Sequence, residues 1–144
     1  MRGYIVERIK VIELPVIEAC DVRDELCEGK NGIRFVDSSF CDRFKACRIP
    51  AQSGKSIALD ELRKEGRGRQ IVETYGGMKR VGIKLGDLLA TIRSNELTKG
   101  IRYICFIHRW VVRMDCTERG IALHAFSIDA PGRWREGRQI IVLE

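Results

Sequence analysis

The sequence predicts a mainly β fold: a single-domain antiparallel β-sandwich with two or so short helices, or alternatively an antiparallel α+β domain. Three observations predict it. Short runs rich in Ile and Val recur along the chain, several alternating with charges at a period of two. Turn residues separate them, as in Lys30-Asn31-Gly32, Gly76-Gly77 and Thr117 to Gly120. Strands and long helices do not alternate regularly, so a parallel βαβ sheet is not indicated. A length of 144 residues makes one domain over 1–144 the default, large enough for a core without staples.

The elements follow in order. "YIVERIKVIEL", 4–14, reads as a half-buried strand that Pro15 ends. Residues 17–28 are acidic and read as a short helix or a loop. "KNG", 30–32, is a hairpin signal leading into the short strand "IRFV". Residues 37–56 read mostly as loop, broken by Phe40, Phe44 and Pro50. "SIALDELRKEG", 56–66, reads as a short helix from a Ser56 cap to Gly66. "RQIVETY", 69–75, reads as a strand, and "KRVGIKL", 79–85, as a second with Val81, Ile83 and Leu85 on one side. Beyond Asp87, the helical spacing of Leu88, Leu89, Ile92 and Leu97 gives the clearest helix. "IRYICFIHRWVVRMDC", 101–116, is the strongest strand, apolar at Ile104, Phe106, Trp110, Val112 and Met114 and turning basic at Arg109 and Arg113. A turn at 117–120 leads to the strand "IALHAFSID", and "QIIVL" is the last strand. Strands thus outnumber helices.

Charge is distributed unevenly. Residues 1–60 hold 10 basic and 10 acidic side chains, while 61–144 hold 16 and 10, so the whole excess of +6 lies in the second part. A localised positive surface favours nucleic acid or an anionic lipid face. Two stretches repeat a theme there: "KEGRGRQIVE" (64–73) and "REGRQIIVLE" (135–144). Each reads as a glycine-arginine loop feeding a strand. Arg67, Arg69, Arg133, Arg135 and Arg138 then sit on loops, where guanidinium groups reach phosphates bidentately or simply keep the turns soluble. Trp110, Trp134, Phe126 and Tyr103 lie among arginines, a mixture suited to stacking single-stranded bases, or to a packed core.

Enzyme motifs fail when tested. "SGKS", 53–56, lacks the first glycine of a phosphate loop, because Ile49 stands in its place. Cys20 and Cys27, and Cys41 and Cys47, are too widely spaced for a zinc knuckle, so six free thiols are expected and no metal or cofactor. A small enzyme pairing Cys105 or Cys116 with His108 or His124 is the remaining catalytic reading. No apolar run spans a membrane and no signal peptide is recognised, so an intracellular place is expected.

At 79–110, "KRVGIKLGDLLATIRSNELTKGIRYICFIHRW", the sequence resembles the matrix proteins of bornavirus-like non-segmented negative-strand RNA viruses. The likeness lies in the alternating run Val81 to Leu85, the Asp-Leu-Leu step at Asp87, and Ile101-Arg102-Tyr103 opening a long apolar strand. "YIVERIKVIELP", 4–15, is similar to that family's first strand; the cysteine-rich middle and the Gly-Arg tail depart from it. The resemblance implies a β-sandwich that self-assembles into tetramers and sheets, in a virion or at a membrane, without catalysis. Implied partners are RNA, the anionic inner membrane face, and viral nucleoprotein or glycoprotein. The side chains expected to meet RNA or anions are Arg67, Arg69, Lys79, Arg80, Lys84, Arg109, Arg113, Arg133 and Arg135. The alternative is a sequence-tolerant RNA- or DNA-binding regulator that does not assemble on lipid.

Overall fold

The structure is a computed structural model that describes residues 5–144. Tyr4, where the first strand reading begins, lies outside the described residues. Nine strands and five helices are present among the described residues. The strands are β1 (Val6–Glu13), β2 (Cys20–Asp21), β3 (Ile33–Val36), β4 (Arg48–Ile49), β5 (Ser56–Leu62), β6 (Arg102–Ile107), β7 (Trp110–Thr117), β8 (Gly120–Ser127) and β9 (Gln139–Leu143). The helices are α1 (Val22–Glu25), α2 (Ser38–Phe44), α3 (Gly68–Thr74), α4 (Met78–Val81) and α5 (Leu85–Arg93).

Seven strands form one sheet in the order β1-β5-β9-β6-β7-β8-β3, and β2 and β4 form a separate pair. The mainly β, α+β class holds. The sheet is mixed rather than strictly antiparallel, because β6 pairs parallel with β9 and β3 with β8. Helices, not a second large sheet, complete the layers. On the first face Phe40 of α2 and Leu88, Leu89 and Ile92 of α5 pack with Ile57, Leu59, Tyr103, Cys105, Val112 and Leu123. On the second face Ile71 and Tyr75 from the α3 segment and Val81 of α4 pack on Ala58, Ile104, Phe106, Val111 and Ile140.

Four elements differ from the sequence reading. Residues 56–62 form a strand, not a helix. As an inner strand β5 is apolar on both faces, which removes the period-two signal and leaves only its helix-forming Ala, Leu and Glu to be read. Residues 68–74 form a helix, not a strand, because Ile71 and Tyr75, four apart, face the same cluster and outweigh the β-branched composition. The 79–85 strand is instead α4 followed by a crossing: Val81 enters one face's cluster and Ile83 the other's, while Gly82 between them bridges Phe106, so the chain crosses from face to face beside β6. The long 101–116 strand is a hairpin, with His108 in the left-handed region at φ 56. The sequence there has no Asn-Gly or Gly to announce a turn. Smaller departures follow the same logic. Residues 37–56 hold α2, whose first turn is capped by the Asp37 carboxylate accepting from Ser39 N–H at 3.0 Å. The 30–32 turn forms, with Gly29 N–H donating to the Ile33 carbonyl at 2.8 Å, but β3 pairs parallel with β8 instead of closing a hairpin.

Candidate nucleic-acid interface

The two Gly-Arg stretches, far apart in sequence, lie against each other. Gly66 and Trp134 exchange backbone hydrogen bonds at 3.0 and 2.8 Å. Leu62 N–H donates to the Arg138 carbonyl and Gly137 N–H to the Leu62 carbonyl, both at 2.8 Å. One stretch enters β9 as expected; the other enters α3. Together they form a basic double loop at the margin of the second sheet face.

Next to this loop none of the described helices covers the second face. Side chains alternate along strands. With Ile104, Val111 and Ile140 in the second-face cluster, Arg102, Arg113, Asp115 and Arg138 fall on the same side. Strand register places Arg102 opposite Asp115 and Arg113 opposite His124. The result is three guanidinium groups around one carboxylate. Arg113 Nε is 3.1 Å from Asp115 Oδ1, Arg102 Nε 3.7 Å from the same oxygen, and His124 Nε2 3.8 Å from Oδ2. The Arg113 contact is close in distance but not aligned as a hydrogen bond, and Arg113 Nε, Asp115 Oδ1 and Arg138 Nε are buried without hydrogen-bond partners. Burial and the Arg102 and Arg113 charges pull the Arg138 pKa below its ordinary value. Positive charge is in surplus here and incompletely satisfied.

Aromatic rings form a ladder beside it. Phe35 lies 5.9 Å from His124, His124 6.4 Å from Phe126, and Phe126 5.5 Å from Trp134, centroid to centroid. The Arg113 guanidinium stands 5.3 Å over the Phe126 ring. Phe35 is 38% exposed, and Phe126 and Trp134 are half-buried.

The predicted basic residues divide into groups. Arg113 lies in the cluster itself. Arg133, Arg135 and Arg67 belong to the double loop; Arg133 faces Glu65 at 3.5 Å, and the exposed Arg67 donates its backbone N–H to Gln70. Arg69 and Arg109 meet elsewhere, at a cavity of about 670 Å³ shared with His108 and Asp129. Arg69 is already bound there, its Nη2 donating to Asp129 Oδ2 at 3.0 Å. Lys79 and Arg80 are exposed on α4, and Lys84 is exposed just before α5, at the end of β6 away from Arg102. Of the aromatics singled out in the sequence, Phe126 and Trp134 join the ladder. Tyr103 is core on the opposite face, and Trp110 carries Arg43 at 4.2 Å. Sequence reasoning misses Arg102, Asp115 and Phe35, and leaves Arg138 out of its final set. The signal for Arg102 is the hairpin register, which appears only once the turn at His108 is placed.

The geometry for cysteine catalysis is not formed. Cys105 and Cys116 pack in the first-face cluster, whereas His124 faces the other way and His108 is exposed in the hairpin turn. Burial raises the Cys105 thiol and pushes Cys116 up to about 11, so neither is an activated thiolate. Among the described residues no three metal-ligating side chains converge. In "SGKS", Lys55 is engaged by Asp87 at 2.7 Å, and the stretch leads into a strand rather than a helix.

His124 makes the interface sensitive to pH. Burial, Arg113 and, more weakly, Arg102 hold its pKa below the ordinary value, against the pull of Asp115 and Asp37. The folded state therefore takes up its proton less readily than the unfolded chain. His124 thus costs the ligand-free fold stability as pH falls from about 6.5 through the lower folded pKa. His124→Gln is therefore expected to make the fold less sensitive to pH between about 7.5 and 5.5 than the wild type; urea unfolding at both pH values checks it.

No protein-family model, curated protein or solved structure matches the chain. What the fold and this face define is a class by geometry: an α+β domain built on an open mixed sheet, with an arginine-lined aromatic area that the described helices leave uncovered. Function is argued from that area itself.

Proposed function

We propose that this chain is a non-enzymatic binder of single-stranded nucleic acid, RNA in the first place, without sequence selectivity. Phosphates lie along Arg102, Arg113 and Arg138 and the double loop with Arg67, Arg133 and Arg135. Bases stack on the ladder from Phe35 to Trp134. The observation that supports this most is the surplus of three guanidinium groups over one carboxylate directly beside four aromatic rings. Stacking needs no particular base, and arginine adds both charge and planar contact.

The test is anisotropy with a labelled single-stranded RNA, its duplex and a DNA of the same sequence, over a salt series with nuclease-treated protein. Single-stranded binding should weaken steeply with salt. Arg102→Ala should reduce the salt slope by about one. Phe126→Ala should cost about 1–3 kcal/mol of binding. Wild-type protein that ignores single strands, or prefers the duplex, defeats the reading.

A second reading keeps the matrix-like assembly: homo-oligomers on an anionic membrane face that also carry RNA. Its support is the sheet's edge strand β1, where Ile9 and Val11 are 44% and 43% exposed, with Val16 at 68% just beyond. No described helix is long and apolar enough to cross a membrane. Light scattering with and without anionic vesicles decides it. A monomer indifferent to vesicles leaves only the first reading.

A further inference from the structure

On the opposite side of the sheet a cavity of about 420 Å³ opens between α1, α2 and β3. Its walls are Val22, Leu26, Val36 and Phe40, with Cys27 and Cys41. The volume lies in the range of pockets that hold a small ligand. Three charged residues also border it: Arg23, Lys45 and Glu28. Glu28 is turned toward the backbone, where Val36 N–H approaches its Oε1 at 3.5 Å. Arg23 and Lys45 are exposed, and neither forms an ion pair or side-chain hydrogen bond among the described residues. An apolar chamber with two unpaired cations at its border matches a molecule with an apolar body and an anionic end.

We propose that this cavity binds a free single-chain carboxylate amphiphile of the fatty-acid type, its chain among Val22, Leu26, Val36 and Phe40 and its carboxylate between Arg23 and Lys45. The small volume favours one chain over a two-chain phospholipid. The site lies outside the nucleic-acid interface, and its failure leaves that reading intact.

The two cysteines provide a direct readout. Cys27 and Cys41 are partly exposed in this cavity, whereas Cys105 and Cys116 are buried elsewhere. Decanoate, below its micellar concentration, should slow maleimide alkylation of Cys27 and Cys41, mapped by peptide mass, while leaving Cys20 and Cys47 unchanged. By calorimetry, affinity should rise about fourfold for each methylene added from hexanoate until the chamber is full. The double reversal Arg23→Glu with Lys45→Glu changes only exposed positions. It should weaken decanoate at least tenfold and leave decanol unaffected. The proposal is overturned by no protection of the two thiols, uniform protection of every thiol, a reversal that leaves decanoate binding unchanged, or protection by phosphatidylglycerol vesicles but not by decanoate. Concentration-dependent dimerisation that shields the same thiols without any added ligand also overturns it, in favour of a second copy as the occupant.

Discussion

Asp87→Ala is expected to lower the unfolding free energy by about 2–4 kcal/mol, the cost of a lost helix-start acceptor and of a charge-assisted hydrogen bond. The Asp87 side chain is fully buried. Its carboxylate accepts from Lys84 N–H at 2.8 Å and from Gln52 Nε2 at 3.1 Å, and it meets Lys55 Nζ at 2.7 Å. Alanine removes three partners at once. The Lys84 amide at the start of α5 loses its acceptor, which alone costs about 1 kcal/mol. The Gln52 amide loses its carboxylate partner, and the Lys55 ammonium must turn to water. Asp87→Asn, which keeps an acceptor but not the charge, should fall between wild type and alanine. Urea unfolding followed by circular dichroism measures both. An alanine variant within 1 kcal/mol of wild type would mean that water replaces the carboxylate at little cost.

Arg138→Met should have the opposite sign. Arg138 has a buried Nε without a partner and lies beside two further arginines. A charge held in that position works against folding, so a methionine stem of similar reach should stabilise the ligand-free protein by about 0.5–1.5 kcal/mol. The same change should weaken single-stranded RNA binding at least fivefold, since the surplus charge is what the phosphate would meet. Stability and binding are thus expected to move apart at one position. If both fall together, Arg138 is a structural residue and not part of an interface. If neither moves, the local field is already screened by solvent.

These two sites differ in how far the sequence discloses them. The Asp87 turn is visible, because Asp87 precedes a leucine-rich run at helical spacing and a first-turn carboxylate suits a helix start. Its partners Gln52 and Lys55 are not, since they arrive from a stretch that reads as loop and as part of a failed phosphate motif. The arginine face is less legible still. Arg113 and Asp115 alternate visibly on one strand, but Arg102 joins them only through a hairpin turned at His108, with no glycine or Asn-Gly pair to announce the turn. Inner strands are hidden for a related reason. β5 carries apolar side chains to both faces, so it offers no alternation and resembles a helix by composition. The clear successes, β8, β9 and α5, have an apolar pattern and boundary residues that agree.

The position of β9 has a consequence for how the chain comes together. It is the latest described strand along the sequence, yet it lies between β5 and β6, near the middle of the sheet. Before residue 139 emerges from a ribosome, the β1-β5 pair and the β6-β7-β8-β3 group have no strand to join them. The basic stretch that leads into β9 is also incomplete until then. Vectorial synthesis therefore cannot assemble this sheet from one end, and its closure depends on contacts between segments distant in sequence, the kind that form slowly. Arg138 leads directly into that closing strand, so the arginine face takes shape only as the nascent chain closes.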